Sequence, residues 1–267
     1  MNVITLSPMD LGVAALLVVA LSGLSLHMRL GVERQLLTSA ARTIIQLLLI
    51  GVVLKVLFDN AALVWVGLMA AIMLAVAGRE VMARQKRRFL GWWGFGVGTL
   101  SMFVSSFTVT VLALVAVIGT TPWYAPQYAI PLLGMVLGNT MNGIALGLDR
   151  LTQDAAQRRA VIETRLALGH DWDRAISDTR REAIRVGMIP IINAMAAAGI
   201  VSLPGMMTGQ ILAGTPPVEA VKYQILVMFL IAGGTGFGTM VAVGLAARRL
   251  FDARQRLRLD RLSAPRD

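Results

Sequence analysis

The sequence predicts an all-α integral membrane protein of about seven transmembrane helices, with its N-terminus outside and its C-terminus in the cytoplasm. Of 267 residues, 56% are hydrophobic and only 15% charged, which lies outside the usual globular balance. The apolar residues also fall in blocks of about twenty with charges confined between them, whereas a soluble core scatters them at helical or strand period. The basic residues, finally, gather in alternate connections.

The predicted spans run Pro8 to Leu26, Thr43 to Leu57, Ala62 to Gly78, Gly94 to Ile118, Tyr128 to Leu148, Val186 to Leu203 and Tyr223 to Ala247. The second and third are short for a hydrocarbon core of about 30 Å and draw on flanking residues, with Asp59 and Asn60 marking the turn between them. The first, third and fifth connections and the C-terminal tail hold all the Lys and Arg except Lys55 and Lys222. Basic residues stay cytoplasmic, so an odd number of spans puts the N-terminus outside. Residue Arg29 is the first basic one, so the first apolar stretch lacks the charged start of a cleaved signal peptide and reads as a retained span.

A formal charge of +10 raises the question of nucleic acid. The basic residues flank apolar blocks, the pattern of cytoplasmic loops on membrane lipid, and no basic domain stands apart, so no nucleic-acid partner is expected. With no cysteine there is no disulfide or thiolate site, and with only His27 and His170 there is no imidazole-rich metal centre in one chain; the metal ligands stay unknown. No acid pair or Ser-His cluster lies in the spans, which argues against an embedded enzyme. Lys55, Lys86 and Lys222 follow Leu, Gln and Val, so no phosphate-cradling Gly-Lys-Ser/Thr loop exists. This chain binds no cofactor of its own; if ATP with Mg drives transport, a partner subunit holds it.

The whole chain, 1–267, reads as a single permease domain with two special regions. Residues 149–185 have room for a folded cytoplasmic element. A helix ending at Gly169 is followed by a short amphipathic helix that Asp171 caps and Trp172 opens. Trp172, Ala175 and Ile176 offer an apolar knob and Arg174 a polar rim, with Glu163 at the preceding helix, as a coupling element for a separate motor would need. The alternative is an amphipathic loop resting on lipid headgroups. Residues 201–221 are too broken by Pro and Gly for one helix and too apolar for an ordinary loop, so they either re-enter the membrane or pack as a tight outer loop. Ser202, Pro204, Met206, Met207 and Gln210 are its pathway candidates.

Polar residues within spans are costly and mark functional sites by default. Arg42 and Gln46 lie one turn apart in the second span, and Asn139 and Asn142 share a face of the fifth. Arg42 is near enough to the cytoplasmic end to snorkel. Glycines at four-residue spacing, Gly134 with Gly138 and Gly143 with Gly147, suit a homodimer or a tightly packed bundle.

The run from Gly199 to Val227, GIVSLPGMMTGQILAGTPPVEAVKYQILV, closely resembles the signature of the FetB-type permeases, membrane subunits of a bacterial iron-export ABC transporter. Arg42 to Lys55, Ile130 to Asn139 and Leu166 to Gly169 are similar to further stretches of that family, so the likeness covers nearly the whole chain. The family includes plant relatives associated with aluminium tolerance and nucleotide-sugar transport. The resemblance implies an inner-membrane permease, two copies of which pair with two ATP-binding subunits to export iron. Other metal ions or nucleotide sugars remain open as substrates, and an ATP-independent channel or ion-coupled carrier is the alternative mechanism. Met206 and Met207, as thioethers, suit soft Cu(I) better than iron.

Overall fold

The computed structural model describes residues 7–265 and is helical, with no strand among the described residues. Arg266 of the predicted basic tail and the outermost residues at both ends of the predicted domain lie outside them. Helix α1 (Pro8–His27) starts where the sequence places it, because Ser7 and Asp10 form a capping box. The Ser7 hydroxyl accepts from the Asp10 N–H, and the Asp10 carboxylate accepts from the Ser7 N–H at 2.8 Å. α2 (Glu33–Asp59) pairs with α1 and is otherwise barely covered, Leu57 being its one buried side chain. α3 (Leu63–Ala83) then returns after a turn at Asn60.

The fourth span, Trp92–Ile118, is a composite. It consists of α4 (Trp92–Met102), a π-helical turn (Phe103–Phe107), α5 (Thr108–Leu112) and a second π turn (Ala113–Ile118) that stops at Gly119 in the left-handed conformation. π turns widen a helix locally and leave its side chains out of α register. α6 (Pro126–Gln157) follows a short loop, and the chain then forms α7 (Arg159–Ala167), α8 (Trp172–Ala175), α9 (Ser177–Ala197), α10 (Gly205–Leu212) and α11 (Pro217–Arg249).

Six described helices are long and apolar enough to cross a membrane: α1, α2, α3, the composite, α6 and α11. The predicted sixth span, Val186 to Leu203, corresponds to the inner part of α9. That helix is apolar only beyond Arg185 and ends at Ala197, so its apolar stretch is shorter than predicted. A turn at Gly199, with φ +84°, leads to the separate helix α10, which packs on α11.

α6 is the axis of the fold, packed by α11, α9 and α3. Glycines set the closest approach. A Cβ on Gly187 of α9 would lie 2.6 Å from the Gly143 carbonyl of α6, so only hydrogen fits there. At 1.5 Å per residue α6 is about 48 Å long, well past a hydrocarbon thickness of about 30 Å. α6 and α11 therefore run on into a cap at the basic end. Leu151, Ala155, Ile162, Ala175, Ile176, Leu250 and Phe251 continue the apolar core through it.

The tail belongs to that cap. Leu262 is buried in the same core as Phe89, the Leu90 N–H donates to the Arg261 carbonyl at 2.9 Å, and the Ser263 N–H donates to the Arg88 carbonyl at 2.8 Å. The chain from Leu250 to Ser263 is thus a strap across the α3–α4 connection.

Candidate functional site

α2 stands off from the rest of the bundle, and the space between it, α3 and α6 is a cleft of about 770 Å³. At its basic end four side chains from three helices meet. Arg42 Nη2 of α2 donates to Glu80 Oε1 of α3 at 2.8 Å, Arg84 Nε lies 4.0 Å from Glu80 Oε2, and Arg84 also donates to Asn142 Oδ1 of α6. Arg42 and Glu80 keep 58% and 27% of their side-chain surface exposed, so the cluster is wet rather than sealed. A cation that is to reach the Glu80 carboxylate must first displace Arg42 from it.

This arrangement brings together some of the predicted pathway residues. Arg42, Gln46 and Asn142 belong to the cleft or its charged cluster; Asn139 instead donates to the Met135 carbonyl of its own helix at 2.8 Å. Glu80 is the residue that sequence reasoning missed. Ending the third span at Gly78 left this acid outside it, whereas α3 continues to Ala83 and presents Glu80 beside Arg42. The unpaired Arg42 was the available signal, because a cation within a span calls for an acid within reach.

Ser202, Pro204, Met206, Met207 and Gln210 do not reach the cleft. Ser202 closes the turn after α9, its N–H donating to the Ala197 carbonyl at 3.1 Å, and Pro204 is the N-cap of α10. Met207 is buried, and Met206 packs against the outer apolar cluster of Leu57, Val66, Ile130 and Val227. The Met206 thioether thus sits among apolar side chains. No group of three His, Asp or Glu able to hold a metal occurs among the described residues. The Gln210 side-chain oxygen Oε1 is buried and unpartnered.

At the basic end the predicted break is present in detail. Gly169 has φ +88°, and the Asp171 carboxylate accepts from the Arg174 N–H at 3.0 Å to cap α8. The helix is a single turn, however, because Ile176 interrupts it and α9 begins at Ser177. Ala175 and Ile176 are buried in the cap core, so their apolar surface faces inward. Trp172 lies 5.9 Å from the Phe251 ring with the Arg248 guanidinium over it at 5.1 Å, and its backbone N–H donates to Gln255 Oε1 at 2.8 Å. Arg174 is exposed, and Glu163 pairs with Arg159 at 2.8 Å.

Glu163, Gly169, His170 and Asp171 form one wall of a groove of about 790 Å³ whose other wall is Ala253 to Leu257. The groove is stiffened by charge. Hydrogen bonding from the Arg165 guanidinium at 2.7 Å holds the Asp178 carboxyl below its usual range, which ties α7 to α9. In the strap, the Arg256 N–H, the Arg256 guanidinium and the Arg254 N–H outweigh desolvation and lower Asp252 to about 2.

The chain is similar over its length to known membrane proteins. It is 41% identical to a membrane protein of Synechocystis over 85% of this chain and 87% of that one. It is 31% identical to the probable iron export permease protein FetB of Escherichia coli over 96% and 97%. It is also 32% identical to the protein ALUMINUM SENSITIVE 3 of Arabidopsis thaliana over 87% and 83%. No solved structure matches it. Six apolar helices and these relatives make it a multi-pass membrane protein, in keeping with a bacterial inner membrane. Residues 8–251, from the first turn of α1 to the start of the strap, match the uncharacterised protein family UPF0014, and the chain belongs to that family.

Proposed function

We propose that this chain is the permease subunit of an ATP-driven exporter that moves iron out of the cytoplasm, with ATP hydrolysed on a separate subunit docked at its basic end. The likeness along nearly the whole of both chains to a relative named as a probable iron export permease carries this reading. The Lys and Arg distribution supports a cytoplasmic location for the cap and an outer location for the N-terminus, with α9 counted as the seventh crossing.

In this reading the groove between Gly169–Asp171 and the strap receives the ATP-binding subunit, and α9 relays its motion inward. α9 begins one residue after α8 and packs directly on α6 and α11, so a push on α8 reaches the membrane through continuous helix. The charged cluster at the mouth of the cleft captures the cation, Glu80 supplying the carboxylate that Arg42 occupies at rest. The uncovered face of α2 suits contact with a second permease copy.

The reading is tested by reconstituting the chain with a candidate ATP-binding subunit and measuring ATP hydrolysis with Fe(II), Cu(I), Al(III) and UDP-glucose. Stimulation by Fe(II) alone is the expected result. Full export by the chain in ATP-free liposomes would overturn the ATP-driven assignment, and stimulation by another member of the set would replace iron as cargo.

A further inference from the structure

Among the described residues seven hydroxyls are buried without a hydrogen-bond partner; one, Thr120, is in the loop before α6, and the other six lie on three elements that pack together: Ser101, Ser106 and Thr110 on the fourth span, Thr140 on α6, and Thr235 and Thr239 on α11. A Ser or Thr in a membrane helix has a ready remedy, donation to the carbonyl four residues back. Thr99 uses it towards Phe95 at 2.8 Å and Ser105 towards Ser101 at 2.8 Å. The six do not, and burying an unmade hydrogen bond is costly where valine or alanine would pack at no such cost.

Three of the six, Thr140, Thr235 and Thr239, meet the glycine crossings. A Cβ on Gly238 would touch both Ser105 Oγ and Thr140 Cγ2 at 2.7 Å. One on Gly234 would meet Thr140 Oγ1 at 3.2 Å, and one on Gly143 would meet Thr235 Cγ2 at 2.6 Å and Thr239 Oγ1 at 3.0 Å. So α6, α11 and the first π turn close on one another with hydroxyls trapped in the seam. The seam adjoins the capture cluster, since Gly143 follows Asn142 on α6.

We propose that this seam is the closed form of the conduit itself: when α11 and the fourth span part from α6, the six hydroxyls line a water-filled path for a hydrated hard cation. Neutral hydroxyls exchange with the water shell of such an ion without holding it tightly. Trapping them dry is then the cost of the closed state, and their polarity is what the open state uses. This inference rests on the transporter reading above.

The chain has no cysteine, so single replacements report without background. Thr140→Cys, Thr239→Cys and Ser106→Cys, each in the complex with the ATP-binding subunit, are exposed to a charged, membrane-impermeant thiosulfonate, with Leu112→Cys on the exposed surface as control. Labelling at the three seam positions should rise by roughly tenfold or more when ATP and Fe(II) are supplied, as a shift from a rare to a common open state requires. Thr140→Val should lose export while melting no lower than the parent. Labelling raised by Fe(II) without ATP would support the conduit and overturn the ATP-driven reading. Absence of seam labelling in vesicles that are exporting, or full export by Thr140→Val and Thr239→Val, would overturn the conduit and leave the transporter reading intact.

Discussion

Arg42 and Glu80 come from different helices and meet at 2.8 Å at the one charged place on the wall of the α2–α3–α6 cleft. Both remain partly exposed, so the pair adds little stability, about 0 to 1 kcal/mol. Glu80→Gln should therefore leave the melting temperature almost unchanged while lowering Fe(II)-stimulated ATP hydrolysis by about tenfold or more. Measured together, the two readouts separate a capture site from a brace. A large loss of stability with hydrolysis per folded complex unchanged would make the pair structural.

The glycine crossing makes a sharper steric case. In Gly187→Ala the new methyl would meet the Gly143 carbonyl at 2.6 Å, and backbone cannot swing aside as a flexible side chain can. Overpacking of this kind costs typically about 1 to 3 kcal/mol. Gly51→Ala on α2 meets nothing within 4 Å and should gain up to about 1 kcal/mol of helix propensity instead. Thermal unfolding of the two variants in one detergent checks the contrast, and equal melting points would refute it.

The strap carries a pH dependence with a definite sign. Asp252 is lowered from 3.8 to about 2, chiefly by the Arg256 N–H, so its contribution to strap closure is fully present above about pH 3.8. It is lost as pH falls through about 2. A nitroxide at Gln255→Cys should stay immobile down to about pH 4 and become mobile between there and pH 2; Asp252→Asn should already be mobile at neutral pH. Unchanged spectra across that range would detach the strap from this carboxylate.

How much of this was legible follows from which residues speak locally. Six of the seven spans were, because apolar blocks about twenty residues long leave few alternatives, and so was the Gly169–Asp171 break, because Gly and Asp act through their own backbone. Glu80 was not, since its role depends on an arginine 38 residues away. The strap was hidden because its many arginines suggest a solvated tail, although Phe251, Leu257 and Leu262 among them carry the apolar signal of a docked segment. Ile176 misled for the converse reason: amphipathic spacing shows which face is apolar but not whether a partner subunit or the chain's own α6 and α11 covers it.

The cap offers the most direct test of coupling. Gly169 turns the chain at φ +88°, a region proline cannot enter with its φ fixed near −65°. Gly169→Pro should therefore displace α8 from the strap groove, and Trp172→Asp should achieve the same by removing the ring that lies against Phe251 and beneath Arg248. Neither change touches an apolar helix, so both variants should insert and accumulate in the membrane like the parent. What should be lost is co-purification of the ATP-binding subunit, or, where it still binds, stimulation of its hydrolysis by Fe(II). A pull-down scored against membrane-inserted permease distinguishes the two. Normal ATP-driven export by both variants would place the coupling contact elsewhere on the basic end, with the exposed Arg79 and Lys86 then the first residues to test.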